Sequence, residues 1–382
     1  MKENLTKFIE INKKELKDLN AFLYNNPEES YNEKEAVNYI TNLLEKYDFK
    51  IEKKFLELNT AFKATKGSGH PKVCFICEYD AIKDSGHLTG HNILCTTSIG
   101  AALSLGSIIE EIGGTVTVIG CPGEYLGGTK SIMVRQGVFD DLDVVLMAHP
   151  DIVTCESGTS SAIVPIKVKF FGEENFSYLN EIPYTPLDAM LLSFNIINSL
   201  SKGFPKDVEL NYVLCEGGFT PSRVPSEAAA KFYIRGSKID LVRIIENKIR
   251  EVIVYTSKLT RLQYSLALYE PENEELMTNR TLNRLFSHNL KECGIIEICE
   301  PRDTNAGLSL GLVSKKIPAI HPYFKIVKNE DIKYGTKAFC EETISEHAVE
   351  EALKVSIALA KTGCDIIQKE SLLTEVKNEF YK

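Results

Sequence analysis

Gly86-His87-Leu88-Thr89-Gly90-His91-Asn92 sets two histidines four residues apart between a pair of glycines. On a helix that spacing would put both imidazoles on one face, but Gly86 and Gly90 argue for a loop. Immediately upstream, the apolar run 72–78, with Val73-Cys74-Phe75-Ile76-Cys77 at its centre, predicts a buried central strand. Downstream, Thr96 to Ile112 predicts a helix whose Gly100, Ala101, Ala102, Ser104 and Gly106 let it lie close against a sheet. Further strands are expected at 50–56, 61–66, 115–120 and 143–149, with a short helix at 130–136. This alternation predicts an α/β layered domain, a mixed sheet flanked by helices. Asp80, Glu124 and His149 each fall just past a strand, where open α/β sheets place their ligand sites.

Before this core, residues 5–47 carry helical periodicity (Leu5, Phe8, Ile9, Leu16, Leu19, Phe22, Leu23), broken at Asn26-Pro27 and restarted near Asn32. After it the pattern changes. Ile166-Lys167-Val168-Lys169-Phe170 alternates with period two. A helix at 187–200, strands at 208–214 and 228–235, and a long amphipathic helix at 239–257 follow. This strand-helix-strand-strand-helix run predicts an inserted ferredoxin-like α+β domain over 166–272. The main domain is then assigned to 1–165 and 273–382, resuming with a helix at 275–292, a strand ending at Pro318-Ala319-Ile320-His321 and a helix at 345–368. The acidic stretch 270–275 reads as a solvated linker.

A chain of 382 residues is long enough for two separate cores. Its net charge of −9 argues against non-specific binding to nucleic acid or to an anionic membrane. No apolar leader and no run of about 18 apolar residues is seen, so neither export nor a membrane span is expected. Ten cysteines lie scattered, without paired metal-binding spacing. Cys74 and Cys77 would point to opposite faces of a strand, as buried thiols. Reduced thiols favour the cytoplasm. Cys95, near a helix start, is open to two readings, a small core residue or a thiol activated by the helix dipole.

Five strings occur in the order of one known group: Cys77-Glu78-Tyr79-Asp80-Ala81; Gly86-His87 through Gly90-His91-Asn92; Gly137-Val138-Phe139-Asp140-Asp141; Met147-Ala148-His149-Pro150; and Pro318-Ala319-Ile320-His321-Pro322-Tyr323-Phe324. Over roughly residues 15–360 the chain resembles metallopeptidase family M-twenty, most closely its amidohydrolase branch. The resemblance implies a zinc-peptidase-like main domain, an inserted lid or dimerisation domain, a homodimer, and metal-assisted hydrolysis of an amide. It implies one or two ions, Zn²⁺ or Mn²⁺, and a glutamate that passes a proton from water to the leaving amine.

Residue by residue, the resemblance is incomplete. His91 and His149 match metal ligands, and Glu124 matches the general base. Thr89 stands where the family has a cysteine ligand, Tyr125 where it has a glutamate, and Gly335 where it has a histidine. A neutral hydroxyl is a poor replacement for a thiolate. Phe176 stands where the family's inserted domain carries an oxyanion-stabilising histidine, and Ser222 where it carries an asparagine; Ser309 and Leu312 stand at two further polar positions. His321 is retained, as a site residue or as a structural turn histidine.

Two histidines plus Glu124 do not make a normal catalytic zinc site, which needs three protein ligands plus water, because Glu124 used as a ligand is lost as the general base. A weak mononuclear site would use His91, His149 and a repurposed group such as Glu124, His87 or Asp80, and Asp80 is also a candidate for catalysis beside Glu124. Three functions follow as expectations: an amide hydrolase for an amino-acid or small acyl conjugate with an eroded, weak or absent metal centre; a metal-independent enzyme reusing Glu124; or a silent relative that binds a small ligand or a partner protein. No organic cofactor is expected. Tyr125 and Phe176, if they project inward, make the cleft more apolar and favour an aromatic or aliphatic ligand.

Overall fold

The computed structural model describes residues 1–179 and 183–382. The chain divides into two compact units: residues 1–159, 276–303 and 312–382 form the first, and residues 160–275 with 304–311 form the second.

A six-stranded mixed sheet organises the first unit, in the order Lys50–Lys53, Phe62–Ser68, Gly114–Gly120, Lys72–Cys77, Val144–Leu146, Ala319–Ile320. The last four run parallel, and the first two add antiparallel at one edge. Gly114–Gly120 is buried along its whole length, as a strand covered on both faces must be. Cys74 and Cys77 are fully buried free thiols in their strand. The parallel strands end on the same side, so the segments after Cys77, Gly120, Leu146 and Ile320 converge there.

The helix behind this edge is His91–Gly106, and all sixteen of its residues are buried. A helix apolar all round is a core helix. It starts five residues earlier than the sequence pattern suggested. Gly90, at φ +83, ends the loop in the left-handed region, and the helix begins on the next residue. A Cβ on Gly90 would also lie 2.7 Å from Pro150 Cγ. His91 therefore sits in a first helical turn and not in the loop. Cys95 is buried inside this helix.

In the second unit, strands Cys155–Phe171, Glu209–Glu216, Glu227–Gly236 and Gln263–Leu268 and helices Pro186–Ser201 and Ile239–Thr260 follow a strand-helix-strand-strand-helix-strand path. The sheet order is Gln263–Leu268, Cys155–Phe171, Glu227–Gly236, Glu209–Glu216, every pair antiparallel. That is the ferredoxin-like arrangement. Its last strand was not foreseen; five of its six residues are exposed, so the alternation that marks a half-buried strand is missing. Pro186–Ser201 begins at a capping box of Thr185 and Asp188.

The acidic stretch 270–275 is no solvated linker. Glu275 is buried and accepts the backbone N–H of Ile239, Glu272 pairs with Arg243, and Glu270 accepts the Tyr233 hydroxyl. These carboxylates hold the start of the long helix and its neighbouring strand. Among the described residues no helix is long and apolar enough to cross a membrane.

Close packing of His91–Gly106 against Glu346–Gln368 depends on Gly100, where a Cβ would lie 2.8 Å from Ser356 Oγ and 3.2 Å from Leu16 Cδ1. Gly100→Leu is expected to destabilise the protein by about 1–3 kcal/mol through overpacking, despite leucine's better helix propensity. The urea midpoint measures it.

Candidate active site

Glu78, His91 and His149 meet at the carboxyl edge of the first unit's sheet. One donor atom from each lies within 4.8 Å of the others, and all three residues are buried. Glu78 is the first residue past the strand Lys72–Cys77. His91 opens the core helix, and His149 opens a short strand paired in parallel with Tyr323–Lys325.

Each imidazole is oriented by its second nitrogen. His91 Nδ1 faces Asp80 Oδ1 at 2.8 Å, and its Nε2 lies 3.5 Å from Glu78 Oε2. His149 Nδ1 donates to the Pro150 carbonyl at 2.9 Å, which leaves Nε2 as the ring's free donor of electrons. A carboxylate or carbonyl behind the ring is the usual support of a metal-ligating histidine. Asp80 is fully committed to this work: its other oxygen accepts Ser30 Oγ at 2.7 Å and the Tyr125 N–H at 3.0 Å.

Electrostatics distinguishes the rings. Burial disfavours charge on His91, but the Asp80 charge and hydrogen bond outweigh it and raise its pKa. Burial, followed by the proximity of His91, lowers His149 to about 4, so that ring is neutral at ordinary pH. Burial opposes ionisation of Glu78, yet Lys130 and His91 together hold its carboxyl below the usual range.

Lys130 is the least expected member of the site. Its side chain is wholly buried, with Nζ 2.6 Å from Glu78 Oε1 and 2.7 Å from Glu124 Oε1. Burial works against its charge, but Glu124 and Glu78 prevail and raise its pKa. Gly128, at φ +72, makes room for the partner: a Cβ there would lie 2.5 Å from Glu124 Oε2.

The other residues singled out from sequence divide clearly. Thr89 Oγ1 and the Tyr125 hydroxyl hydrogen-bond each other, and the Tyr125 ring stacks on His91 with centroids 4.6 Å apart. His87 is outside the donor cluster: its Nε2 contacts the Leu23 carbonyl at 3.1 Å. Its ring is buried. His321 stacks on His149 at 5.4 Å, and its backbone N–H donates to Ser157 Oγ. Gly335 is exposed at φ +74, with nothing within 4 Å of where a Cβ would stand. Phe176, in the second unit, is half exposed, stacked on Tyr178 and covered by the Arg223 guanidinium.

Sequence reasoning missed Glu78 and Lys130. Glu78 lay inside a quoted string, two residues before Asp80, and its place just past a buried strand was the available signal. Lys130 had only the preceding Gly127-Gly128 to mark it, and a lysine at a helix start is ordinarily solvated.

No family model matches the chain. Its relatives include Xaa-Arg dipeptidase of Mus musculus, 28% identical over 383 residues, covering 95% of this chain and 88% of the relative. They also include one of the subunits of p-aminobenzoyl-glutamate hydrolase of Escherichia coli (strain K12), 26% identical, covering 76% of this chain and 64% of the relative. Among solved structures, a dinuclear metal-binding peptidase of the M-twenty family from Bacillus subtilis superposes with a TM-score of 0.64 at 16% identity, covering 91% of this chain and 98% of that one. The resemblance read from the sequence is thus shown in the chain's relatives and in its fold.

Three buried histidines in this region have depressed pKa values: His87 and His149 about 4, His321 about 3, burial being the first cause in each. An unfolded histidine titrates near 6.5. As pH falls below about 6.5 the unfolded chain therefore takes up protons first, and stability drops until the folded values are passed. His87→Gln, which keeps a donor for Leu23, is expected to flatten this loss by up to about one proton. Urea midpoints measured between pH 7 and 4 test it.

Proposed function

We propose that the chain is an amide hydrolase acting on an amino acid joined to a small acyl or aminoacyl group, with one divalent ion, Zn²⁺ or Mn²⁺, held by Glu78, His91 and His149. The observation that carries this is the donor set itself, one carboxylate and two oriented imidazoles within 4.8 Å of one another. Three protein ligands, with water as the fourth, are the minimum of a catalytic site. The ring supports on His91 and His149 fit that use. The names of the relatives, a dipeptidase and an aminobenzoyl-glutamate hydrolase, support the substrate class.

Bound there, the ion would polarise the scissile carbonyl and acidify water. The chain supplies the rest. Glu124 takes the proton of the attacking water and returns it to the leaving amine, with Lys130 fixing one of its oxygens. Asp80 positions His91 and is not itself a proton carrier. Tyr125 lays an aromatic face over His91, a surface suited to an apolar acyl or aromatic group. We further propose a cytoplasmic protein, on its ten unpaired cysteines, and a homodimer through the second unit, on the resemblance alone.

A second reading has one observation in its favour. Glu124 is already paired with an ammonium. A cleft whose base is so engaged suits a protein that binds an amide conjugate without turning it over.

Hydrolysis of dipeptides and N-acyl amino acids by protein loaded with Zn²⁺ or Mn²⁺ tests the first reading. Glu124→Gln is expected to lower kcat by about 100- to 10,000-fold while leaving the fold intact. Absence of turnover on every conjugate, with ligand binding retained, sinks the hydrolase reading and leaves the binding one. Asp80→Asn is expected to weaken metal affinity by about 10- to 100-fold, measured by competition with a chelating dye.

A further inference from the structure

The geometry points to Lys130 as a resident cation that replaces one of two metal ions, so that the site accepts a single exchangeable divalent ion. This rests on the metal reading above for the ion that remains, but not for the role of Lys130. The M-twenty peptidase of Bacillus subtilis with the same fold is described as dinuclear. Here the Lys130 ammonium occupies the space between Glu78 and Glu124, within 2.7 Å of an oxygen of each. Those oxygens are the anionic donors a second ion would need. The hydroxyls of Thr89 and Tyr125, which could offer only weak neutral ligation, are spent on each other.

Charge counting agrees. Glu78, Asp80 and Glu124 bring three negative charges to the site, and Lys130 returns one positive charge. With His91 and His149 serving as neutral ligands, two negative charges remain, which one divalent ion balances. Two divalent ions beside the ammonium would leave the site with two positive charges, and the buried carboxylates next in line are already engaged, Asp151 with Arg302 and Glu33 with the backbone N–H groups of Tyr31 and Gly123. Such an excess in a dry site is strongly disfavoured. The lysine cannot swing aside to relieve it, because its whole side chain is enclosed.

Equilibrium dialysis against Mn²⁺ alone, followed by elemental analysis, tests the assignment on the full chain. The wild type is expected to bind one equivalent, and Lys130→Ala one more than the wild type. Thermal stability supplies a readout independent of activity. Lys130→Ala is expected to melt lower than the wild type in chelator and to recover most of that loss in Mn²⁺. If the variant does not fold without metal, refolding in Mn²⁺ but not in chelator supports the same role. A double variant, Lys130→Ala with Glu124→Gln, removes the excess negative charge and is expected to lose the extra equivalent. Two equivalents in the wild type overturn the inference. So does a Lys130→Ala protein that gains no equivalent, or one that Mn²⁺ neither stabilises nor refolds. A wild type that binds none, beside a Lys130→Ala variant that binds one, would retain the role of Lys130 and refute the three-donor metal site.

Discussion

A lysine ammonium enclosed between two glutamates, Lys130 with Glu78 and Glu124, governs the chemistry available at the carboxyl edge of this sheet. Removing one partner of a buried ion pair typically costs about 3–5 kcal/mol, because the survivor keeps its charge without compensation. Glu78 is thereby held ionised, and both glutamates are held in place. Glu78 turns its second oxygen toward His91, and Glu124 is fixed at the wall that Gly128 leaves open. The pair therefore links the donor cluster to the residue that matches a general base, and a change in one is felt by the other.

Behind this lies a second polar layer. Asp80 receives His91, Ser30 and the Tyr125 backbone together, so its carboxylate ties the first turn of the core helix to the loop after Gly120. Burial makes such a network costly if it is half satisfied and rigid if it is complete. Its completeness fixes His91 and the Tyr125 backbone relative to Asp80.

Much of this was legible in the chain. The apolar runs 72–78 and 115–120 are buried parallel strands, and the residues just past them do face one edge. Period two at 166–170 marked the second sheet, but Gln263–Leu268 escaped because exposure on most of its residues erases the alternation. His91 and His149 were found because imidazoles are rare and stand in recognisable strings. Glu78 and Lys130 were missed for one reason: glutamate and lysine are usually solvated, and only three-dimensional enclosure distinguishes these two from the rest. A pair of opposite charges 52 residues apart leaves no periodic trace.

The replaced positions themselves differ in kind, and the difference is physical. Thr89 and Tyr125 are partly enclosed hydroxyls that bond each other. The Tyr125 ring is laid on His91. Gly335 is the opposite case. It is exposed, nothing packs where its side chain would be, and its positive φ suits glycine. Around the donor cluster, then, Thr89 and Tyr125 bond each other against His91, Lys130 neutralises Glu78 and Glu124, and Gly335 has open space where a side chain would stand.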